Sequence, residues 1–392
     1  MNGLYNIFIL VYKISLRFVS LFNNKAKEII KNQKDLIKKI QTSTKGEKNI
    51  VWFHAASLGE FEQGKAVIKI YRKKNPTHKI LLSLYSPSGY NNIKKSDLIN
   101  WIFYLPHDTQ KNAKIIAKNI KPLKVVFINQ EFWFNYIEEF NKENIPIYFI
   151  SSIFRKEQYF FKFYGKWFAR KLQKVNYFFV QNTESKQLLK SINIHNVKVV
   201  GNSRIESVLN NSKQKYSNKI IQEFCKKKKV IIAGSSYMSD WYLLKKLDYN
   251  IIIAPHELNN LDKLKTINNA ILLSNCKISD CKNCSILIID EIGILSKIYR
   301  YADIAYIGGG FEKGIHNCLE AAVYNIPVIF GPKYHKFQEA RDLISMGVAK
   351  SINNYDELKN AIKHFEEKDV KKISSDYFNN KLGSSEMITQ HI

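Results

Sequence analysis

The sequence predicts two successive α/β domains, each built on a doubly wound parallel sheet, with an amphipathic helix at the amino terminus. Two series of short apolar runs support this prediction, because such runs are typical of buried parallel strands and amphipathic segments separate most of them. The chain of 392 residues is long enough for two full hydrophobic cores. Asn, Ser and Lys accumulate over 208–229, where we expect the domain boundary.

The order of the predicted strands defines the two domains. The first series of apolar runs covers 50–53, 79–84, 101–104, 125–128, 147–150 and 177–180. The second series covers 230–233, 250–254, 270–273, 285–289, 304–307 and 328–330. We therefore expect one domain over 23–208 and another over 209–392, with a ligand-binding cleft between them. Whether the last helix crosses back to the first domain stays open.

Residues 1–22 predict a membrane-associated helix. Its apolar residues follow helical spacing, whereas Lys13 and Arg17 lie on the opposite, polar face. Two cations near the middle are unusual for a membrane span, so we expect a helix in the membrane surface or a short tilted anchor. The alternative is a helix packed on the protein's own core. The apolar positions are Leu4, Ile7, Phe8, Val11, Ile14, Phe18 and Phe22.

The formal net charge of +27 indicates an acidic partner, which could be nucleic acid, anionic lipid or a phosphorylated substrate. Compositional drift towards Lys is the competing explanation. The five cysteines suggest no disulfide framework and indicate a reducing cytosol. Cys276, Cys281 and Cys284 lie close together in sequence, but a fourth ligand is missing from the cluster, so we expect no zinc site.

One carboxylate, Glu60, follows the first predicted strand in a turn of small residues that leads into a helical segment. The turn begins at Ser57 and includes Gly59. A carboxylate at the carboxyl end of a strand is well placed to act as a general base, because open α/β sheets bind ligands at that edge. The alternative is a structural Glu in the first turn of a helix, where the helix dipole favours it.

In the second domain, three glycines at 308–310 follow a strand and precede a segment from Gly314 to Glu320. Glycines let the backbone approach a ligand, and a helix starting near His316 would direct its N–H groups at an anion. Glu320 could then bind a ribose diol. Similar turns at Ser235, at Pro255-His256 and around Gly293 suggest a nucleotide site, against the alternative of a tight turn before a capped helix.

Six segments together resemble the 3-deoxy-D-manno-octulosonic acid (Kdo) transferases, a glycosyltransferase family with the GT-B fold of two Rossmann-like domains. The likeness covers nearly the whole chain in consistent order and includes the amino-terminal helix. The segments are His54-Ala-Ala-Ser57-Leu-Gly59-Glu60, Tyr104-Leu-Pro106-His-Asp108, Glu131-Phe-Trp133-Phe-Asn135, Gly234-Ser235, Ile289-Asp290 with Gly293, and His316-Asn317-Cys318-Leu319-Glu320.

The resemblance implies a role for each matching residue. Glu60 would be the proton acceptor, and Glu131 and Arg204 would stabilise the transition state. The CMP moiety would be held by three turns of the second domain. The implied substrate-binding residues are Ser57, Gly59, Ser235, Pro255, His256, Ile292, Gly293, Ile294, Gly310, Gly314, His316, Asn317, Cys318, Leu319 and Glu320.

The chain departs from the family pattern at several contacts for the nucleotide and the sugar carboxylate. Alanine precedes Pro255-His256 where the family has an arginine contact, and Cys318 and Phe134 each replace a proline. Ser151-Ser152-Ile153, with Arg155 nearby, replaces an Asn-Ala-Arg segment. The cation that would bind the sugar carboxylate therefore stays open between Arg204 and Arg155.

The predicted reaction is inverting transfer of Kdo from CMP-Kdo to the lipid A precursor, lipid IVA, at the cytoplasmic face of the inner membrane. We expect an anionic membrane surface as a partner, no nucleic acid, no cofactor and no metal, since no acidic pair has metal-ligand spacing. One alternative is another GT-B enzyme that uses a UDP-sugar. The other is a basic, non-enzymatic protein that binds nucleic acid or membrane, although an aromatic RNA-binding strand motif is lacking.

Overall fold

The computed structural model describes residues 2–93, 97–226, 228–258 and 261–392. The chain divides into two compact units. The first comprises Met1–Ser207 together with Lys381–Ile392, and the second comprises Val208–Asn380. The carboxyl-terminal helix therefore belongs to the first unit, where it packs on the helix that carries Glu60.

The first unit contains a seven-stranded parallel sheet in the order β3-β2-β1-β4-β5-β6-β7. Its strands are β1 Ile50–Ala55, β2 Lys79–Leu84, β3 Trp101–Tyr104, β4 Lys124–Ile128, β5 Ile147–Ser152, β6 Tyr177–Val180 and β7 Val197–Val199. Its helices are α1 Asn2–Val19, α2 Asn24–Gln33, α3 Leu36–Ser43, α4 Leu58–Lys74, α5 Pro87–Ile93, α6 Gln110–Ile115, α7 Phe134–Lys142, α8 Lys166–Leu172, α9 Thr183–Lys190, α10 Arg204–Ser212, which runs on into the second unit, and α19 Ser384–Thr389.

Both faces of this sheet are buried, which explains why its strands are continuous apolar runs rather than alternating ones. On β1, Trp52 packs into one hydrophobic cluster, whereas Val51 and Phe53 pack into the cluster on the opposite face. Phe127 and Val126 of the neighbouring strand divide between the same two clusters. The sheet is therefore covered by helices on both sides, as the sequence predicted.

The second unit contains another seven-stranded parallel sheet, in the order β10-β11-β9-β8-β12-β13-β14. Its strands are β8 Val230–Ser236, β9 Asn250–Pro255, β10 Ala270–Leu272, β11 Ile286–Ile288, β12 Ile304–Ile307, β13 Val328–Phe330 and β14 Ala349–Ser351. Its helices are α11 Lys219–Phe224, α12 Met238–Leu244, α13 Leu261–Lys265, α14 Leu295–Ile298, α15 Leu319–Ala322, α16 Gln338–Ser345, α17 Tyr355–Glu367 and α18 Lys371–Asn380. The prediction of two doubly wound domains is thus confirmed.

Helix α1 docks on the first unit by a narrow stripe and leaves the rest of its surface exposed. Ile9 is buried, and the Tyr5 hydroxyl donates to Asp108 Oδ2 at 2.6 Å. The seven apolar positions noted in the sequence are all exposed. In the part of the chain that the structure describes, every helix is too short or too polar to cross a bilayer.

Candidate functional site

Glu60 lies in the turn between β1 and α4, at the point where the first sheet reverses its strand order. Strands β2 and β3 lie on one side of β1, and β4 to β7 lie on the other. Ser57 is the extended residue that caps α4, and its hydroxyl oxygen accepts from the Glu60 N–H at 3.4 Å. Glu60 Oε2 in turn accepts from the Ala56 N–H at 2.5 Å. Glu60 thus completes the helix cap at a switch point, where open sheets bind ligands.

A second carboxylate, Glu131, lies near Glu60 and follows the adjacent strand β4. Asn129, the residue after β4, adopts a left-handed conformation (φ 68°) and donates from Nδ2 to Glu60 Oε1 at 3.4 Å. Burial raises the pKa of Glu60 to about 7, and the negative charge of Glu131 contributes to the rise. A carboxylate with a pKa near neutral pH is suited to accept a proton from a substrate.

Glu131 is held by two rings, the half-buried Trp133 and the buried His54. Trp133 Nε1 donates to Glu131 Oε2 at 2.9 Å, and His54 Nε2 lies 3.5 Å from the same oxygen. His54 is fully buried, and its Nδ1 lies 2.8 Å from Ser83 Oγ. Nδ1 also lies 3.1 Å from the Ser83 carbonyl oxygen, which can only accept, and Trp133 Nε1 donates to His54 Nε2 at 3.2 Å, so these contacts favour the tautomer with its proton on Nδ1. The arrangement therefore fixes one oxygen of Glu131 towards the protein.

Arg204, the third predicted catalytic residue, contacts the same turn. It is the first residue of α10, and its Nη2 donates to the Gly59 carbonyl at 2.8 Å. The structure therefore brings Ser57, Gly59, Glu60 and Arg204 together, with Glu131 electrostatically coupled to them. Arg155 follows β5, which lies next to β4 in the sheet.

The second unit carries the remaining predicted residues along one edge of its own sheet. Here the strand order reverses between β8 and β12. The backbones at these strand ends touch so closely that only glycine fits. A Cβ on Gly308 would lie 2.3 Å from the Ser235 carbonyl oxygen, and one on Gly310 would lie 2.5 Å from the Gly331 nitrogen. Glycine at these positions therefore allows the backbones of neighbouring loops to pack against each other, so that peptide groups line this edge of the sheet.

Three aromatic rings stack beside the glycines. The ring centroids of His256 and His316 are 4.3 Å apart, and those of Tyr237 and His256 are 5.0 Å apart. Burial lowers the pKa of His316 to about 4, and His256 contributes to the decrease. Nε2 of His316 is buried and has no hydrogen-bond partner among the described residues. The edge therefore combines the half-buried, neutral imidazole of His316 with the exposed ring of His256.

The expectation that a helix starts near His316 is wrong. Helix α15 begins at Leu319 and has only four residues. The His316 N–H donates to the Gly308 carbonyl at 3.2 Å, and the Ile315 N–H donates to the Lys333 carbonyl at 3.3 Å. Because these N–H groups bind within the protein, they are not available to an anion in the way that the sequence suggested.

The segment 317–320 is organised by its own side chains. Asn317 Oδ1 accepts from the Leu319 N–H at 3.1 Å, and Asn317 Nδ2 donates to Glu320 Oε1 at 2.8 Å. The side chains of Cys318 and Leu319 are fully buried, so these two residues can offer a ligand only backbone groups. Glu320 is half-buried.

The other predicted contacts follow neighbouring strands of the same edge. Pro255 ends β9, and 292–294 follows β11, the strand next to it. Ile292 is 71% exposed, whereas the side chain of Ile294 is buried. Gly293 and Gly314 have φ of 91° and 139°, which favour glycine. Ser235 is also left-handed, at the point where the register of β8 and β9 shifts.

Sequence reasoning missed Asp240, a fully buried carboxylate that connects the strand ends of the second unit. It accepts from the Tyr306 hydroxyl at 2.8 Å, from the Tyr237 N–H at 2.8 Å and from the Gly309 N–H at 3.3 Å. Burial raises its pKa. The sequence did contain a signal for Asp240. It lies three positions after Tyr237, the residue that precedes α12, and this is the spacing of a helix capping box.

The described residues include no group of three or more His, Cys, Asp or Glu side chains that could hold a metal ion. Of the cysteines discussed above, Cys276 and Cys281 are buried neighbours with their sulfur atoms 3.8 Å apart.

Comparison with known proteins identifies the first unit. Residues 29–207 match the family model described as 3-deoxy-D-manno-octulosonic-acid transferase (kdotransferase). A 3-deoxy-D-manno-octulosonic acid transferase of Aquifex aeolicus is 26% identical, over 81% of this chain and 86% of that protein. A bifunctional glycosyltransferase/methyltransferase of Fusobacterium nucleatum is 29% identical over 82% of this chain, but the match spans only 53% of that relative's length.

Solved structures support the fold. A UDP-GlcNAc 2-epimerase from Neisseria meningitidis aligns with a TM-score of 0.58 and 17% identity, covering 87% of this chain and 98% of that one. At that identity, the likeness supports only the shared architecture of two parallel-sheet α/β domains. Together with the matches in sequence, it leads to one conclusion: residues 29–207 of the chain match the model of the 3-deoxy-D-manno-octulosonic acid transferase family, and a relative of that name is similar over most of the chain.

Proposed function

We propose that this protein is an inverting glycosyltransferase that moves Kdo from CMP-Kdo to a hydroxyl group of the lipid A precursor, lipid IVA. The observation that carries the proposal is the position and pKa of Glu60. Its carboxylate has a pKa of about 7 and lies where the first sheet reverses its strand order, within the residues that match the family model. Relatives named as Kdo transferases over most of this chain's length support the choice of sugar.

In the proposed reaction, ionised Glu60 accepts the proton of the acceptor hydroxyl as its oxygen attacks the anomeric carbon of Kdo. The bond between that carbon and the CMP oxygen breaks, and CMP leaves with the electron pair. Attack opposite the leaving group inverts the anomeric centre. Glu131 keeps the pKa of Glu60 high, and so makes it a stronger base once it is ionised.

The donor's negative charges require cations and donors from the protein. We assign Arg204 to the sugar carboxylate or the developing phosphate charge, because its guanidinium is fixed on the turn that holds Glu60. In the second unit, the stacked rings of His256 and His316 are suited to contact the nucleotide by stacking and by hydrogen bonding. The proposal includes no metal ion.

We further propose that α1 lies in the surface of the inner membrane on its cytoplasmic side. Most of its large apolar side chains are exposed, including Phe8, Phe18 and the following Phe22. Exposed apolar area of this extent on one helix is typical of a membrane contact. Lys13 and Arg17 on the same helix would then lie at the level of the lipid phosphates.

A UDP-sugar donor is the main alternative, because the fold is shared with proteins that bind UDP-sugars. The test is a product-mass assay with purified protein, detergent-dispersed lipid IVA and either CMP-Kdo or a panel of UDP-sugars. The proposal predicts that lipid IVA gains the mass of one or more Kdo residues with CMP-Kdo alone. Transfer from a UDP-sugar, with none from CMP-Kdo, would contradict it.

A further inference from the structure

A cavity of about 620 Å³ opens beside α1 in the first unit. Its walls come from three parts of the chain: the second half of α1, the turn from α2 to α3, and the segment from Pro106 to the first helix after β3. A volume of this size is typical of a small-ligand site. None of the residues assigned to the transferase reaction lines it.

The lining of this cavity, the basic pocket, is strongly cationic. Only one acidic residue, Asp35, lines it. No ion pair to any of its lysines or its arginine occurs in the described part of the chain, whereas many other lysines of the protein are paired with carboxylates. The five cations are Lys13, Arg17, Lys34, Lys38 and Lys111.

The floor of the basic pocket is a fixed scaffold rather than a flexible surface of lysines. Gln33 Nε2 donates to the Leu105 carbonyl at 2.8 Å, and Gln33 Oε1 accepts from the His107 N–H at 3.1 Å. Asn112 Nδ2 donates to the His107 carbonyl at 2.9 Å. These bonds tie α2 to the segment after β3, so the cations of different elements are held around one space.

The charge of the pocket acts on a buried group beside it. His107 is 8% exposed, and its pKa is lowered to about 4 by burial and then by the positive charges of Lys13 and Arg17. A neutral imidazole in this position offers hydrogen bonding without adding to the repulsion among the cations. The local potential is therefore positive, because Asp35 offsets only part of the charge of the five cations.

The position of the pocket on α1 indicates the kind of ligand. Lys13 and Arg17 line the cavity, while neighbouring turns of the same helix expose Leu10, Ile14 and Phe18. An apolar surface that continues into a cationic cavity suits an amphipathic anion, with its phosphate in the cavity and its acyl chains along the helix. A soluble phosphate has no apolar part that could contact the exposed apolar side chains.

We propose that the basic pocket binds the phosphate headgroup of an anionic membrane lipid and so fixes the depth and orientation of α1 at the bilayer. The inference rests on the proposed attachment of α1 to a membrane, and it is independent of the identity of the transferred sugar. Each Lys or Arg near an anionic membrane strengthens attachment several-fold. A cavity that surrounds one headgroup also favours a phosphate monoester over the diffuse charge of the membrane surface.

The test compares two triple variants of the full chain that lose the same charge. The pocket variant is Lys34→Ala/Lys38→Ala/Lys111→Ala, and the matched control is Lys69→Ala/Lys73→Ala/Lys190→Ala, at exposed positions of the same unit outside the pocket. Flotation measures binding to phosphatidylcholine vesicles that contain phosphatidic acid or, at equal surface charge, phosphatidylglycerol.

The expected result is that the pocket variant loses at least tenfold in affinity for phosphatidic acid vesicles, against threefold or less for the control, with weaker discrimination on phosphatidylglycerol. Arginine at the three pocket positions should restore binding. Equal losses in the pocket variant and the control would overturn the proposal in favour of diffuse charge. Binding of inorganic phosphate as tight as that of lipid, or displacement of the vesicles by RNA, would also overturn it.

Two further readouts separate this proposal from the others. If wild-type protein binds no vesicle of any composition, the attachment of α1 fails, and the pocket proposal fails with it. The transfer of Kdo to detergent-dispersed acceptor does not depend on vesicles, and so it tests the catalytic proposal separately. A pocket variant that retains this transfer while losing vesicle affinity supports both proposals.

Discussion

Replacement of Glu60 by glutamine should stabilise the protein at alkaline pH while slowing the proposed chemistry by about 10²–10⁴-fold. The ordinary pKa of a glutamate is 4.5, and burial beside Glu131 raises that of Glu60 to about 7. Between these pH values the unfolded chain has lost the proton and the folded protein keeps it. The stability of the folded state therefore falls as pH rises from about 4.5 to about 7.

The size of the effect follows from the difference between the two pKa values. At about 1.4 kcal/mol per pKa unit, the loss of unfolding free energy amounts to about 3 kcal/mol above pH 7. Glutamine does not titrate and escapes this loss. It also keeps an oxygen for the Ala56 N–H, and its NH2 can donate to Asn129 Oδ1 once the Asn129 amide, whose Nδ2 faces Glu60 in the wild type, turns over.

The assay is urea unfolding at pH 5 and pH 8, followed by tryptophan fluorescence. Four of the five tryptophans (residues 52, 101, 133 and 167) lie in the first unit, so the signal reports mainly on the unit that contains Glu60. The variant should gain about 2–3 kcal/mol relative to wild type at pH 8, and much less at pH 5. An equal effect at both pH values would refute the argument that Glu60 is a buried acid with a raised pKa.

Three further predictions concern Glu131 in the first unit and Gly308 and Asp240 in the second. Glu131→Gln removes a repelling charge, so the acidic limb of the pH dependence of kcat/KM should move to lower pH as the pKa of Glu60 falls. Gly308→Ala would place a Cβ 2.3 Å from a backbone oxygen, so it should lower the free energy of unfolding by about 1–3 kcal/mol and weaken CMP binding measured by calorimetry. The control is Gly3→Ala, because a Cβ on Gly3 would meet no atom within 4 Å. Asp240→Asn turns an amide N–H towards groups that already donate, so urea unfolding of the second unit should lose about 1–3 kcal/mol.

Most strands could be predicted from the sequence because both sheets are parallel and buried on both faces. All twelve predicted strands occur, with ends that differ by three residues at most, in β8. Strands β7 and β14 were missed because each is a three-residue edge strand with a lysine in the middle. Such a segment lacks the long apolar run that identifies a buried strand.

The turn of Glu60 was also predictable, because a short apolar run, small residues and a single carboxylate are adjacent in the chain. Its raised pKa was not predictable, since it depends on burial and on Glu131 from a different strand. The segment around His316 was misread for a related reason. Its N–H groups bind carbonyl oxygens of two other loops, and these long-range bonds displace the helix start to Leu319.

The membrane helix shows where amphipathic periodicity alone is ambiguous. The spacing in α1 predicted an apolar face but could not tell a membrane contact from a contact with the protein's own core. In the structure a polar and aromatic stripe, with the Tyr5 hydroxyl on Asp108, contacts the first unit. Ile9 is buried in this contact, whereas the seven apolar positions noted in the sequence are exposed. The face of α1 that contacts the sheet domain is therefore the one that carries the hydrogen-bonding Tyr5.

The most direct test of the central claim is the single-turnover rate of Kdo transfer from CMP-Kdo to lipid IVA by the Glu60→Gln variant. If Glu60 is the proton acceptor, the variant should bind CMP with wild-type affinity and transfer the sugar about 10²–10⁴-fold more slowly. The rate of the wild type should rise with pH through about 7, as Glu60 ionises. A variant that transfers Kdo at the wild-type rate would contradict the claim.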